Sequence, residues 1–339
     1  MSGLNKTGIP YCTRTYSPVR GCAEDGECSV SDICWAESVC WRMAHNPDPK
    51  VAEQFAGLVE AECDFPAEPA WRSPLRWSGH IRTYPETFDA PLRARKPQVI
   101  FVAPHGDLAL ADEETVRRVF EVMAEAQQHQ FLVLTKRLAM LLEKLGMFTD
   151  LLDEKALCHS TARYADTRGD DDVYWASDLN NVWLGVSASD QRTYEERVGA
   201  LCDPDTGWPG NRFVSLEPCL GPVNPVQYLA PEPEDMGIQW LIAGSADTLA
   251  HGAAAFTPRI ARSVRDQCAA AGVPLWLKQV PGWRCSGCDT WFEEHDPNCG
   301  ACCGPLQHTV IHSPWLADRP AQNAPEPIAD ILRREGKTA

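Results

Sequence analysis

The chain has 339 residues, 44% hydrophobic and 23% charged, a globular composition long enough for one large domain or two smaller ones. Its net charge of −16 argues against a surface built to coat nucleic acid, and no stretch approaches the ~18 apolar residues of a membrane span. The opening "MSGLNKTGIPYC" holds no apolar run of the signal-peptide kind, so the 15 cysteines do not read as a secreted disulfide framework. The expected compartment is the cytoplasm, where clustered thiols more often bind metal or do redox chemistry.

In chain order, a first strand is expected near "TRTYSPVRG" (13–21). It runs into "GCAEDGECSVSDICWAESVCW" (21–41), which places Cys22, Cys28, Cys34 and Cys40 at intervals of six. Six residues turn ~600° on an α-helix, so a helix would aim neighbouring thiols in different directions. "AEDGE" and "SVSD" are turn material rather than strand. The segment therefore reads as a loop folding its thiols around something: disulfides, zinc or an iron–sulfur cluster. Next, "WRSPLRWSGHIRTYPETFDAPLRARK" (71–96) sets six Arg/Lys against two acids, interleaved with Trp71, Trp77 and Tyr84. Such a mixture suits a phosphate or a stacked base, although arginines beside aromatics are more often a packed surface.

Six uninterrupted apolar runs follow: "QVIFVA" (98–103), "FLVLT" (131–135), "VWLGVS" (182–187), "RFVSLE" (212–217), "QWLIAG" (239–244) and "PLWLKQ" (274–279). Runs without alternation are expected of strands buried on both faces of a parallel sheet. Helical patterns lie between most of them, at 112–128, 139–148, 193–203 and 257–272, the last opening on a Thr-Pro cap and closing on Gly272. Repeated alternation indicates an α/β fold, a complete or partial parallel β/α (TIM-like) barrel, with a doubly wound open sheet as the alternative. Polar residues at the strand ends favour the barrel, whose active site is built there: Asp107, Lys136, Arg137, Ser187, Asp190, Glu217, Asp247, Lys278 and Gln279. Loop insertions are expected at about 41–70 and 156–181, the latter a polar, acidic, exposed loop.

After the barrel (1–283), residues 284–306 contain "CSGCDTWFEEHDPNCGACC", a CxxC, ten residues, then a second CxxC. Cys285, Cys288, Cys299 and Cys302 thus have the spacing of a zinc ribbon or knuckle, with an auxiliary iron–sulfur cluster as the other metal reading. Four thiolates around zinc leave no open position, so the role is structural; His295 and Cys303 are spare donors. Residues 307–339 form a Pro-rich extension with one short helical piece, expected to be loosely held.

The location of the first cluster carries further meaning. The loop follows the first strand of the expected barrel, and there the sequence resembles a family of phage- and bacterium-encoded proteins of unassigned function, grouped with the radical S-adenosylmethionine superfamily. The resemblance runs from about Ile9 to Trp283 through "YSPVRGC…CWAE", "IFVAPHGDLALAD", "VFEVMAEAQQHQFLVLTKR", "NVWLGVSASDQRTYEERV", "RFVSLEPCLGPV", "QWLIAGSAD" and "VRDQCAAAGVPLWLKQ". It implies a [4Fe–4S] cluster on three cysteines, with S-adenosylmethionine on the open iron. By motif, Cys22 matches the first cluster cysteine and Cys34 the last. Ser31 stands at the middle position, for which Cys28 is the natural substitute and Cys40 the reserve. At 243–247 the chain has "AGSAD" where the family usually has a Gly-Gly-Glu-Ser run. The resemblance further implies that Asp107 meets the methionine amino group, and that Lys136 and Arg137 suit its carboxylate or ribose, or an anionic substrate. Ser187, Asp190 and Glu217 would line the site, and Trp35 would pack over the cluster.

The reading is thus a radical S-adenosylmethionine-type enzyme that generates a 5′-deoxyadenosyl radical, served by a reductant such as a flavodoxin or ferredoxin. A nucleotide or nucleic acid is the attractive substrate class. The rivals are a non-enzymatic zinc-binding adaptor or nucleic-acid-binding module on the same scaffold, and a barrel that has lost its cluster chemistry.

Overall fold

The structure, a computed structural model, describes residues 3–26, 28, 30–61, 74–146, 163–165, 173–175, 179–206, 208, 210–232, 235–246, 256–285, 291–292, 306–311 and 324–337. Its centre is an eight-stranded sheet of β1 (Leu4–Lys6), β2 (Arg14–Tyr16), β3 (Val99–Val102), β4 (Gln130–Thr135), β5 (Val182–Ala188), β6 (Asn211–Leu216), β7 (Trp240–Ala243) and β8 (Leu275–Leu277). All six apolar runs read from the sequence are strands of this sheet. Order in space is order in the chain, and from β2 to β8 every ladder is parallel; only β1 runs antiparallel, at the edge.

The four crossover helices are α3 (Glu113–Glu125), α4 (Leu138–Lys144), α5 (Gln191–Cys202) and α6 (Pro258–Ala270). Their apolar stripes (Val119 and Phe120, Leu141 and Leu142, Tyr194 and Val198, Ala261 and Val264) all join one core with Ile100, Val133, Val186, Val214, Leu241 and Leu277. The helices therefore share one face of the sheet, and the strand order never reverses. A doubly wound sheet would place helices on both faces and reverse its order at a switch point, so that alternative does not hold. No ladder joins β8 back to β1 among the described residues.

Because strand side chains alternate, the residues between those core positions form a second core on the opposite face. It is aromatic: Tyr11, Phe101, Trp183, Phe213, Trp240 and Trp276. Tyr11 meets Phe101, Trp240 and Trp276 edge-on at 6.2–6.3 Å. Gly185 gives the Phe213 ring its space, since a Cβ there would lie 2.3 Å from Phe213 Cε1. This core is closed by α7 (Ile328–Arg334), through Ile328, Ile331 and Leu332. Lys337 Nζ then donates to the carbonyls of Thr7, Ile9 and Cys12. The helical piece of the C-terminal extension is thus part of the core rather than loosely held, because the aromatic face would otherwise stand open to water.

A satellite unit grows from the β2–β3 connection. It holds α1 (Trp35–Ala44), α2 (Pro49–Phe55) and a hairpin pairing Val59–Ala61 with Leu75–Trp77. Its small core joins Ala36, Cys40, Phe55, Leu58, Val59 and Trp77. The expected insertion at 41–70 is therefore helical in its first half, and the cysteine loop ends at Cys34, the N-cap of α1. Within 156–181, Arg163–Ala165 pairs antiparallel with Val173–Trp175, a hairpin where a plain loop was expected. Around the second cysteine cluster, Val280–Cys285 pairs with both Trp291–Phe292 and Leu306–Ile311. Cys288, Cys299, Cys302, Cys303, His295 and Asp247 lie outside the described residues, as does the side chain of Cys285.

Candidate functional site

The C-terminal ends of β2, β3 and β4 converge on the cysteine loop through two glycines and one arginine. Gly21 and Gly106 form a parallel bridge, with Gly21 N donating to His105 O at 3.0 Å. The approach needs bare backbone: a Cβ on Gly106 would lie 2.3 Å from Gly21 O, and one on Gly21 would lie 2.1 Å from His80 O. Gly21 also has φ +109°, a region disfavoured for side-chain-bearing residues.

Asp107 follows β3 and is 5% exposed. Oδ1 accepts from Ala109 N at 3.1 Å and Thr135 Oγ1 at 2.8 Å. Oδ2 accepts from Lys136 N at 3.1 Å and Arg137 Nη1 at 3.0 Å. Four donors fill the carboxylate, so its work in this structure is to join the loops after β3 and β4. Arg137 is equally engaged. Its Nε and Nη2 hold Asp25 at 2.6 and 2.7 Å, Nη2 also reaches Ala23 O at 3.0 Å, and Nη1 stands 3.7 Å from Cys22 Sγ. Burial disfavours its charge, but the Asp25 hydrogen bonds and the charges of Cys22, Asp107 and Asp25 outweigh that and raise its pKa. Arg137, expected to face cofactor or substrate, instead clamps the cysteine loop.

Burial pushes the Cys22 thiol up to about 12, although Arg137 pulls the other way. Cys34 is also raised, by burial first and then by the Glu37 charge, with Lys136 opposing and Cys28 adding. These thiols are unbridged and stay protonated at neutral pH unless a cation takes the proton's place. In kind they suit iron or zinc. In grouping they do not yet form a set: no three His, Cys, Asp or Glu side chains among the described residues are gathered to hold one ion. Residues 27 and 29, on either side of Cys28, lie outside the described residues. Cys40 is fully buried in the satellite core, an apolar packing role rather than a reserve donor on the loop.

The other strand ends separate into two groups. Lys136, Ser187, Ser215, Glu217 and Lys278 follow, two residues at a time, from the aromatic face, and stand above it. Glu217 Oε1 pairs with Lys278 Nζ at 3.2 Å, and Oε2 accepts from Ser215 Oγ at 3.2 Å and Tyr11 Oη at 3.4 Å. Gly244 leaves room for that pair, as its Cβ would lie 3.1 Å from Glu217 Oε1. Ser187 is buried opposite Ser215. Asp190 falls outside this set: it caps α5 in a capping box with Thr193. Gln279 is turned to Ser245 O.

Trp35, expected over the cluster, is 48% exposed and lies 6.2 Å from the His105 ring. In the 71–96 segment Trp77 and Tyr84 are buried, Arg76 pairs with Asp32 at 2.9 Å, and Arg82 donates to the carbonyls of Glu53 and Ala56. There the packed-surface reading holds for the described aromatics and for Arg76 and Arg82, while Trp71 lies outside the described residues. Arg20, His105, Tyr11 and Glu37 were not singled out from sequence. Arg20 had a signal, since it directly precedes the Gly-Cys pair.

The match to a family of proteins of unknown function, DUF5131, extends over residues 6–298. The chain belongs to the DUF5131 family. That match covers β2 to β8 of the main sheet and the cysteine loop, and ends between Cys288 and Cys299, so α7 lies beyond the matched span. No curated protein and no solved structure matches the chain. No helix among the described residues is long and apolar enough to cross a membrane.

Proposed function

We propose that this DUF5131 chain is a radical S-adenosylmethionine-type enzyme on a partial β/α barrel, with Cys22, Cys28 and Cys34 holding a [4Fe–4S] cluster. The observation that carries the reading is the clamp: Arg137 and the Gly21–Gly106 bridge tie a three-thiol loop to the C-terminal ends of consecutive parallel strands. Barrel enzymes place their chemistry at that edge. When bound, the cluster would supply one electron to cleave S-adenosylmethionine. The chain's own part is to fix the Cys22 end of the loop through Arg137 and to hold Cys22 and Cys34 partly buried. Lys136 adds a cation, close enough to lower both thiols' proton affinity, and Ser187, Glu217 and Lys278 line the face above the aromatic core. The second cysteine cluster is assigned zinc or an auxiliary cluster on its spacing alone. The substrate is left open: the buried Trp77 and Tyr84 weaken the case for base stacking in the basic segment, and with it that of a nucleic-acid module.

The test is iron, zinc and sulfide content with a visible spectrum, on protein purified without oxygen. Wild type is compared with Cys22→Ala/Cys34→Ala and Cys285→Ala/Cys288→Ala. About four irons with sulfide and a broad absorbance near about 400 nm, lost only in the first variant, are expected. Zinc in both clusters and no iron after reconstitution would sink the radical reading and favour the zinc adaptor.

A further inference from the structure

Between the N-terminal segment, the satellite helices and the loop after β3 lies a cavity of about 490 Å³, within the range of small-molecule sites. Arg20 forms part of its wall and is 8% exposed. Its guanidinium carbon stands 4.7 Å from the Phe55 ring centroid and 4.4 Å from that of Tyr84. Among the described residues nothing accepts a hydrogen bond from its buried Nε, and no carboxylate pairs with it. A buried cation without a counter-ion is costly, and two ring faces offset only part of that cost. Such a group is one whose anion arrives from outside.

The other groups on the wall define that anion. His105 has a buried Nδ1 with no hydrogen-bond partner among the described residues. Burial, helped by the Arg20 charge, pushes its pKa down to about 4, so at neutral pH it offers a hydrogen bond but no charge. Lys6 and Glu86, both exposed, stand at the rim and offset one another. One net positive charge is left, which matches a carboxylate better than a phosphate monoester carrying −1.5 to −2. A guanidinium fork also fits a carboxylate with two parallel hydrogen bonds. The half-exposed Trp35 indole supplies a flat apolar wall on the same cavity.

We propose that this cavity binds a small organic carboxylate, its charge met by Arg20 and its flat apolar body laid against Trp35. The site goes beyond the cluster reading and needs neither iron nor S-adenosylmethionine to form.

Titration calorimetry on the full chain tests it, with indole-3-carboxylate as probe, indole-3-carboxamide as its neutral counterpart and phenyl phosphate as the more highly charged one. Saturable carboxylate binding is expected, with the carboxamide and the phosphate each at least tenfold weaker. Trp35→Ala should weaken the carboxylate several-fold and leave folding unchanged, because that ring is half in solvent. Arg20→Met should abolish binding while the ligand-free melting temperature holds or rises, an outcome a structural arginine would not give. No carboxylate binding, equal binding of the carboxamide, tighter binding of phenyl phosphate, or full binding by Arg20→Met would each overturn the proposal. The probe comparison on wild type and Trp35→Ala decides the matter even if Arg20→Met fails to fold.

Discussion

Arg137 Nη1 stands 3.7 Å from Cys22 Sγ, 115 residues away in the chain, while the same guanidinium holds Asp25 and Asp107. One buried side chain thus fixes where the cysteine loop begins. Arg137→Gln leaves Asp107 and Asp25 without their cation and is expected to cost about 3–5 kcal/mol in denaturant unfolding. Arg137→Lys keeps the charge but not the fork, and should recover only part of that loss. In both variants Cys22 should react faster with a maleimide, since the loop it starts is no longer tied.

Gly106→Ala pushes a Cβ to 2.3 Å from Gly21 O, backbone against backbone, with nothing flexible to yield. A loss of about 1–3 kcal/mol is expected, with the loop displaced. Gly221→Ala meets nothing within 4 Å and should be silent. Equal melting temperatures for the two variants would contradict the role given to the glycine bridge.

Leu332 is fully buried against the aromatic face, although α7 lies beyond the family match. Leu332→Ala should cost about 2–5 kcal/mol, as for any large core residue truncated to alanine. A loss under about 0.5 kcal/mol would mean that α7 is dispensable.

The pKa of His105 is depressed to about 4, from an ordinary 6.5, by burial and by Arg20. Between those values the unfolded chain binds the proton that the folded chain refuses, so stability falls as pH drops from about 6.5 to about 4. One such group changes the folding equilibrium by at most about tenfold per pH unit. His105→Gln should flatten that part of the melting profile and leave it unchanged at pH 8. The Arg20 charge acts with burial in that depression.

Cys40 separates packing from ligation. Cys40→Ala should cost a little stability and leave iron content untouched, whereas Cys40→Ser buries a hydroxyl among Phe55, Leu58 and Trp77 and should cost more. Loss of iron in a folded Cys40→Ala protein would move the third ligand from Cys28 to Cys40.

By itself the sequence determined the seven parallel strands, the crossover helices and the identity of the thiols, but not the antiparallel edge strand β1. Uninterrupted apolar runs such as "QVIFVA" and "VWLGVS" can only be buried on both faces, and the helix caps at Asp112 and Thr257 are local hydrogen bonds readable from neighbouring residues. It also placed Lys136, Ser187 and Glu217 at strand ends. The tertiary structure decided what each strand-end residue faces. Asp107, Arg137 and Asp190 read alike as polar residues after apolar runs, yet one joins two loops, one clamps the cysteines and one caps a helix. The roles of Asp107 and Arg137 depend on partners tens of residues away, such as Asp25 for Arg137, and no local pattern encodes them, whereas the Asp190 cap closes on Thr193 three residues on. Arg20 is the extreme case: its meaning lies in the counter-ion that no described residue supplies, and that need exists only once Phe55, Tyr84 and His105 have folded around it.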